Sequence, residues 1–230
     1  VDNPEEIDRF SGVNLEELVP LVDGSLRSEN EGSFARYHRV GDGWTVQEPS
    51  GVLHEFGTTG AARLENNGRT FAWWLQRTTD TNGNVADYSY TTDAGSPGQK
   101  YLREVRWARP GAFYAAVLSY DSSRPDVYAD FKSGFEIRTR LRLARIDVIA
   151  QGVPPSPTAL TGDFNGDGSP DSLIRRYELE YETGAFVLVS RLSRVTMRGA
   201  DGVTALPTMT FQYTNWTPPN DVASTFTLSS

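Results

Sequence analysis

Apolar side chains recur at every second position through much of this chain, and that period belongs to half-buried β-strands, not to helices. Gly43-Trp44-Thr45-Val46-Gln47-Glu48 is one such run. Pro49-Ser50-Gly51 interrupts it and Val52-Leu53-His54-Glu55-Phe56 returns, which reads as a hairpin with turn residues at its tip. Phe71 to Thr78 and Ala86 to Thr91 form a second pair around Asp80-Thr81-Asn82-Gly83-Asn84. There, Asn82-Gly83 supplies the positive φ values of a tight turn. Thr92 to Gln99 reads as a polar loop, and Tyr101 to Trp107 with Phe113 to Tyr120 as a third pair around Arg109-Pro110-Gly111. The only helical turn expected is Glu16 to Val19, stopped by Pro20.

From Phe135 to Val148 one long strand is expected. Ile137, Thr139, Leu141 and Leu143 share a face, with Arg138, Arg140 and Arg142 opposite. Ala144, Ile146 and Val148 then carry the apolar set, so the parity flips, and a bulge near Leu143-Ala144 explains it. Gln151 to Ala159, with Pro154, Pro155 and Pro157, reads as a linker. The chain therefore divides into a hairpin region 1–150, a Pro-rich linker 151–162 and a final region 163–230 that extends the same β-structure. Strands are expected there at Ser172 to Tyr181, Phe186 to Arg198 and Thr208 to Tyr213. Trp216 to Asn220 reads as a connector and Ser224 to Ser230 as strand-like. The fold class is all-β: antiparallel sheet from successive hairpins, forming part of a β-shell or sandwich-like layer.

Composition narrows the function. The 230 residues carry a formal net charge of -8, against the cationic surplus that a sequence-independent grip on nucleic acid requires. There is no cysteine, which removes disulfides, thiol catalysis and Cys-zinc sites. No run approaches the roughly 20 apolar residues of a membrane-spanning helix. Val1 to Glu6 form no signal peptide, and the expectation is a segment of a longer, secreted protein.

Asp163-Phe164-Asn165-Gly166-Asp167-Gly168-Ser169-Pro170-Asp171 carries the most specific chemistry. Calcium takes six to eight hard oxygen ligands. Asp163, Asn165 and Asp167 occupy alternate positions, Gly168 permits a sharp turn, Ser169 offers its carbonyl and Asp171 closes the site. Ca2+ is the expected cofactor, with a structural role. The twelfth position is Ile174, not Glu, and strand follows, so the loop is no EF-hand. The competing reading is an Asx-rich turn held by its own hydrogen bonds.

No catalytic residue is assigned. His38 and His54 lie in apparent strands, outside any nucleophile or metal motif. No spacing singles out a carboxylate pair for glycosidase work. Trp73-Trp74 places indoles on opposite faces of a strand, for the core or for a sugar or partner contact. The Arg138/Arg140/Arg142 stripe can meet phosphate or an acidic partner, but local pairing to Asp and Glu is expected.

Several passages in order resemble a known family. Glu16-Glu17-Leu18-Val19-Pro20 precedes Ser28-Glu29-Asn30-Glu31-Gly32-Ser33-Phe34, then Trp44-Thr45-Val46 with Pro49-Ser50-Gly51, and His54-Glu55-Phe56-Gly57. Trp74-Leu75 follows, with Asp80-Thr81-Asn82-Gly83-Asn84 and Tyr88-Ser89-Tyr90, and later Arg124-Pro125-Asp126, Gly134-Phe135, Arg140-Leu141, Leu206-Pro207 and Phe211-Gln212-Tyr213-Thr214. This series resembles the N-terminal region of the virulence plasmid B proteins and of the B component of insecticidal Tc toxin complexes, which belong with the Rhs/YD-repeat group. The Asp-rich loop resembles the calcium loops of FG-GAP repeats. The resemblance implies a β-rich shell that encloses a toxic polypeptide, and partners that are other segments of the parent toxin or a partner toxin subunit. It implies no catalytic domain. The alternatives are a calcium-containing carbohydrate-binding or adhesion module and a calcium-dependent hydrolase.

Overall fold

The computed structural model describes residues 10–12, 16–30, 32–109, 112–184 and 188–214. Its strands run Leu18–Pro20 (β1), Leu26–Ser28 (β2), Arg36–Val40 (β3), Gly43–Gln47 (β4), Leu53–Phe56 (β5), Arg63–Asn66 (β6), Arg69–Trp73 (β7), Leu75–Thr79 (β8) and Val85–Asp93 (β9). Then come Ser96–Arg109 (β10), Ala112–Asp121 (β11), Tyr128–Asp130 (β12), Ile137–Thr139 (β13), Arg142–Gln151 (β14), Thr161–Gly162 (β15), Asp171–Thr183 (β16), Ser190–Arg198 (β17) and Met209–Thr210 (β18). A 3-10 turn, Gly60–Ala62, precedes β6.

Fourteen strands make one antiparallel sheet in the order β1-β2-β3-β4-β5-β8-β9-β10-β11-β14-β16-β17-β18, with β15 also on β16. Sequence neighbours pair in space because short turns leave each strand no other partner. Two hairpins leave this path, β6–β7 and β12–β13, and each forms its own two-stranded sheet.

The β4–β5 hairpin lies where the alternation places it, with Trp44 opposite Phe56 and Val46 opposite His54. Elsewhere strand bounds differ from the sequence reading. Leu18–Pro20 is strand, not helical turn: Pro20 faces Leu26 at the end of β1, where its missing N–H costs no ladder bond. The expected strand through Trp73-Trp74 breaks at Trp74. β7 belongs to a small hairpin and β8 to the main sheet, with the Trp74 amide given to the Ala62 carbonyl at 2.8 Å. Thr92 to Gln99 is no loop. β9 runs to Asp93, β10 starts at Ser96, and the register skips between Ser96 and Lys100. The strand expected from Phe135 breaks at Arg140-Leu141, whose amides both donate to the Tyr101 hydroxyl, at 3.0 and 3.2 Å. The bulge near Leu143-Ala144 is present: Ser119 faces Arg145 and Tyr120 faces Leu143, so Ala144 is passed over.

At Asp80–Asn84, only Gly83 has positive φ, +81°. The Asp80 carboxylate makes up for the missing Asn82 conformation by accepting the Asn82 and Asn84 amides at 2.8 and 2.9 Å. These bonds, with that of the Asn84 side chain, lower its pKa. β14 and β16 pair across the Pro-rich segment, from Arg145–Glu178 to Ala150–Ser172. The Pro110-Gly111 turn, the start of the strand expected at Phe186, the connector at Trp216 and the strand-like end at Ser224 lie outside the described residues.

Candidate functional site

The Asp-rich loop folds between β15 and β16, over the face of the sheet that carries Ala115 and Ile149. Phe164 packs there against a cluster of Ala115, Val117, Ile149 and Leu173. The loop is organised by its own amides. Asp163 accepts from Gly166 and Asp167 at 2.7 and 3.0 Å through one oxygen, and from Gly168 at 3.0 Å through the other. Asn165 accepts the Asp167 amide at 3.1 Å, and Asp167 accepts that of Ser169 at 2.9 Å. Asp171, only 1% exposed, accepts the Phe164 amide at 3.0 Å and the Gln151 side chain at 3.2 Å. Burial raises its pKa, and the charge of Asp167 adds to the shift.

Positive charge reaches the loop from β10. Arg103 donates to the Asn165 carbonyl, and Arg106 lies 3.7 Å from Asp167. The five expected ligand residues, Asp163, Asn165, Asp167, Ser169 and Asp171, thus share one loop, yet no three of the acidic or imidazole groups among the described residues are gathered tightly enough to hold an ion. The donor chemistry suits calcium.

A cavity of about 1420 Å³ opens between the main sheet and the β6–β7 hairpin. Its floor is aromatic: Trp44 meets Phe10 at 5.0 Å and Trp73 at 6.0 Å, both edge-on, and Arg39 stacks 5.0 Å from each indole. Trp73 donates its indole N–H to the Asp42 carbonyl at 2.6 Å. Gly57, at φ +58°, lies against this ring, and a Cβ there would collide with it. Trp74 stacks on Tyr90 at 5.9 Å. Neither indole is an open platform, since both are half-buried.

His54 is held between Glu48 and Thr78, at 3.0 Å from each. The hydrogen bond from His54 lowers the pKa of Glu48. The imidazole thereby ties the β4–β5 turn to β8. The arginine stripe is paired throughout: Arg138 with Glu136, Arg140 with Asp93 at 3.4 Å, and Arg142 with Asp121 at 3.2 Å. What sequence reasoning missed is a buried ion group, Asp147 between Arg145 and Arg176 at 3.0 and 2.6 Å. Asp147 is 1% exposed. An acid inside the strand Ile146-Asp147-Val148 was the available signal, but its partner comes from β16, 29 residues away.

Residues 8–110 match the family described as Salmonella virulence plasmid 65kDa B protein, SpvB. No curated protein matches the sequence. Among solved structures, the N-terminal domain of effector protein SpvB from Salmonella typhimurium strain LT2 is similar at 20% identity with a TM-score of 0.67, covering 86% of this chain and 83% of that one. The crystal structure of TcdB2-TccC3-Cdc42 is similar at 21% identity with a TM-score of 0.71, covering 93% of this chain and 13% of that one. That of TcdB2-TccC3 is similar at 21% identity with a TM-score of 0.68, covering 91% and 14%. This chain therefore spans a small fraction of the TcdB2-TccC3 length. Residues 8–110 carry the sequence pattern of the virulence plasmid B protein family, and the described fold is the one found in the SpvB N-terminal domain and in TcdB2-TccC3, as the resemblance implied.

Proposed function

We propose that this domain is a non-catalytic wall segment of a secreted toxin-type protein, serving enclosure and assembly of other parts of that protein. The observation that carries the reading is the sheet: fourteen strands paired in near-sequential order, with no pairing among the described residues between its first strand, β1, and its last, β18. Such a sheet gains its function from area. Many of its charged groups are spent on polar neighbours, as in Asp126, whose pKa is held far below the carboxylate range by Arg124 and Ser190. The fold shared with TcdB2-TccC3, where the match covers 14% of a far longer chain, supports a role as one part of a larger wall. The test is protease resistance of the complete open reading frame. Removing residues 1–230 should expose the downstream polypeptide to cleavage. Unchanged resistance would sink the wall reading.

A structural Ca2+ in the 163–171 loop is a separate proposal. Each carboxylate oxygen that accepts one amide keeps a second lone pair. The like charges of Asp167 and buried Asp171 gain from a nearby cation. A bound ion stabilises by mass action, so excess chelator should lower the melting temperature and Asp167→Ala should abolish the difference. If chelator has no effect on the unaltered protein, the arginines and amides hold the loop alone.

A further inference from the structure

Partners in an antiparallel ladder lie on the same face, so the pairing registers sort the side chains of the central strands. One face carries Glu104, Asp147, Arg176, Glu178 and Arg198. Three of its apolar residues, Ala115, Ile149 and Leu173, are 0%, 0% and 1% exposed beneath Phe164. On this face the charges are paired, with Glu104 2.8 Å from Arg106 and Glu178 2.7 Å from Arg198.

The other face has a different chemistry. Trp107 pairs with Tyr114, the next row passes through Val148, and the row after that runs from Ile146 to Tyr177 and Met197. Trp107 is 41% exposed and the other five are half-buried. No carboxylate lies on these rows between β10 and β17. One cation does: Arg175, opposite Val148, is exposed and has no hydrogen bond or ion pair among the described residues. A contiguous apolar surface of this kind marks a place where something else packs. A lone guanidinium within it favours an occupant that brings a carboxylate and little other charge.

Resting on the wall reading, we infer that the face bearing Trp107, Tyr114, Val148 and Tyr177 is the inner side of the wall. Its occupant is an extended, weakly acidic stretch of the same polypeptide. The charged face with the Asp-rich loop is the outer side.

The absence of cysteine makes the test direct. Trp107→Cys and Arg175→Cys report the inner side. Glu180→Cys and Arg194→Cys, at side chains 56% and 51% exposed, report the outer. All four substitutions lie at exposed positions and leave the core intact. Thiol labelling is compared between the 230-residue chain and the complete protein. The expected result is that both inner cysteines label about tenfold slower or more in the complete protein, because reaction there waits on an opening step. The outer pair should label equally in both. Protection of the outer pair alone, or of both pairs, overturns the assignment of sides while leaving the wall reading standing. No protection of either pair in the complete protein removes both.

Discussion

Between β1 and β5 the core is made of rings and lies on one face of the sheet. Between β11 and β16 it is made of small aliphatic side chains and lies on the other. The first cluster joins Leu18, Ala35, Tyr37, Trp44 and Val46 to Phe10, Phe56 and Trp73. The second is Ala115, Val117, Ile149 and Leu173 under Phe113 and Phe164. The ladder connects them: Trp44 with Phe56, and His54 of that same face with Thr78, Ala86, Trp107 and Tyr114 in turn. Ala115 follows Tyr114 and so points the opposite way. One sheet thus buries its two ends on different sides, each under a different excursion of the chain: β6–β7 through Trp73, and the Asp-rich loop through Phe164. Among the described residues, each half leaves its opposite face without a covering excursion of the chain.

The halves also differ in how they tolerate loss. In the aliphatic half, the buried Asp147 neutralises two arginines, and removing it leaves Arg176, 14% exposed, without its carboxylate, while Arg145, 42% exposed, turns to water. Asp147→Ala should cost about 3–5 kcal/mol, the largest single effect, read as a lower urea midpoint at unchanged slope. Replacing Asp147 and Arg176 together by apolar residues should recover much of it, since buried pairs break even against well-packed hydrophobes. A cost below about 1 kcal/mol for Asp147→Ala would mean that this half is held by its apolar contacts alone.

In the ring half, the corresponding test is Trp73, the contact between the β6–β7 excursion and the sheet. Trp73→Ala should cost about 3 kcal/mol, because the indole fills space between Phe10, Trp44 and Arg39. Trp73→Phe keeps a ring there and loses the hydrogen bond to the Asp42 carbonyl, for about 1 kcal/mol. Equal losses for the two variants would show that the hydrogen bond, and not the packing, fastens the hairpin.

The period-two pattern made the all-β class and several strands readable because it depends only on neighbouring residues. Even the bulge at Ala144 was legible, since a parity flip leaves its trace in sequence. The excursions were not. Trp73-Trp74 and Thr139 to Leu141 continue the alternation without a break in polarity, so nothing local says that the chain leaves the sheet there. The decision is made by distant groups: the Ala62 carbonyl for Trp74, and the Tyr101 hydroxyl for Arg140 and Leu141. The Asp-rich loop was legible as a turn that its own side chains organise. The arginines that face it, Arg103 and Arg106, were not, because β10 is joined to it only by folding.

The two departures from the sheet supply the finest test of the comparison. At Trp74 the chain returns through backbone bonds alone, to Ala62 and from Gly57. At Arg140-Leu141 two amides instead depend on one phenol, that of Tyr101, which is 7% exposed. Tyr101→Phe keeps the ring against Tyr120, 5.2 Å away, and removes the acceptor for both amides. The expected cost is about 1–2 kcal/mol, the penalty for two part-buried donors left to find water. Amide exchange localises it: the Arg140 and Leu141 amides should exchange faster, and those of β14 beyond the bulge should not. Faster exchange throughout β14 would mean that the phenol holds the strand itself, and the aliphatic half would then rest on a single aromatic residue as the ring half rests on several.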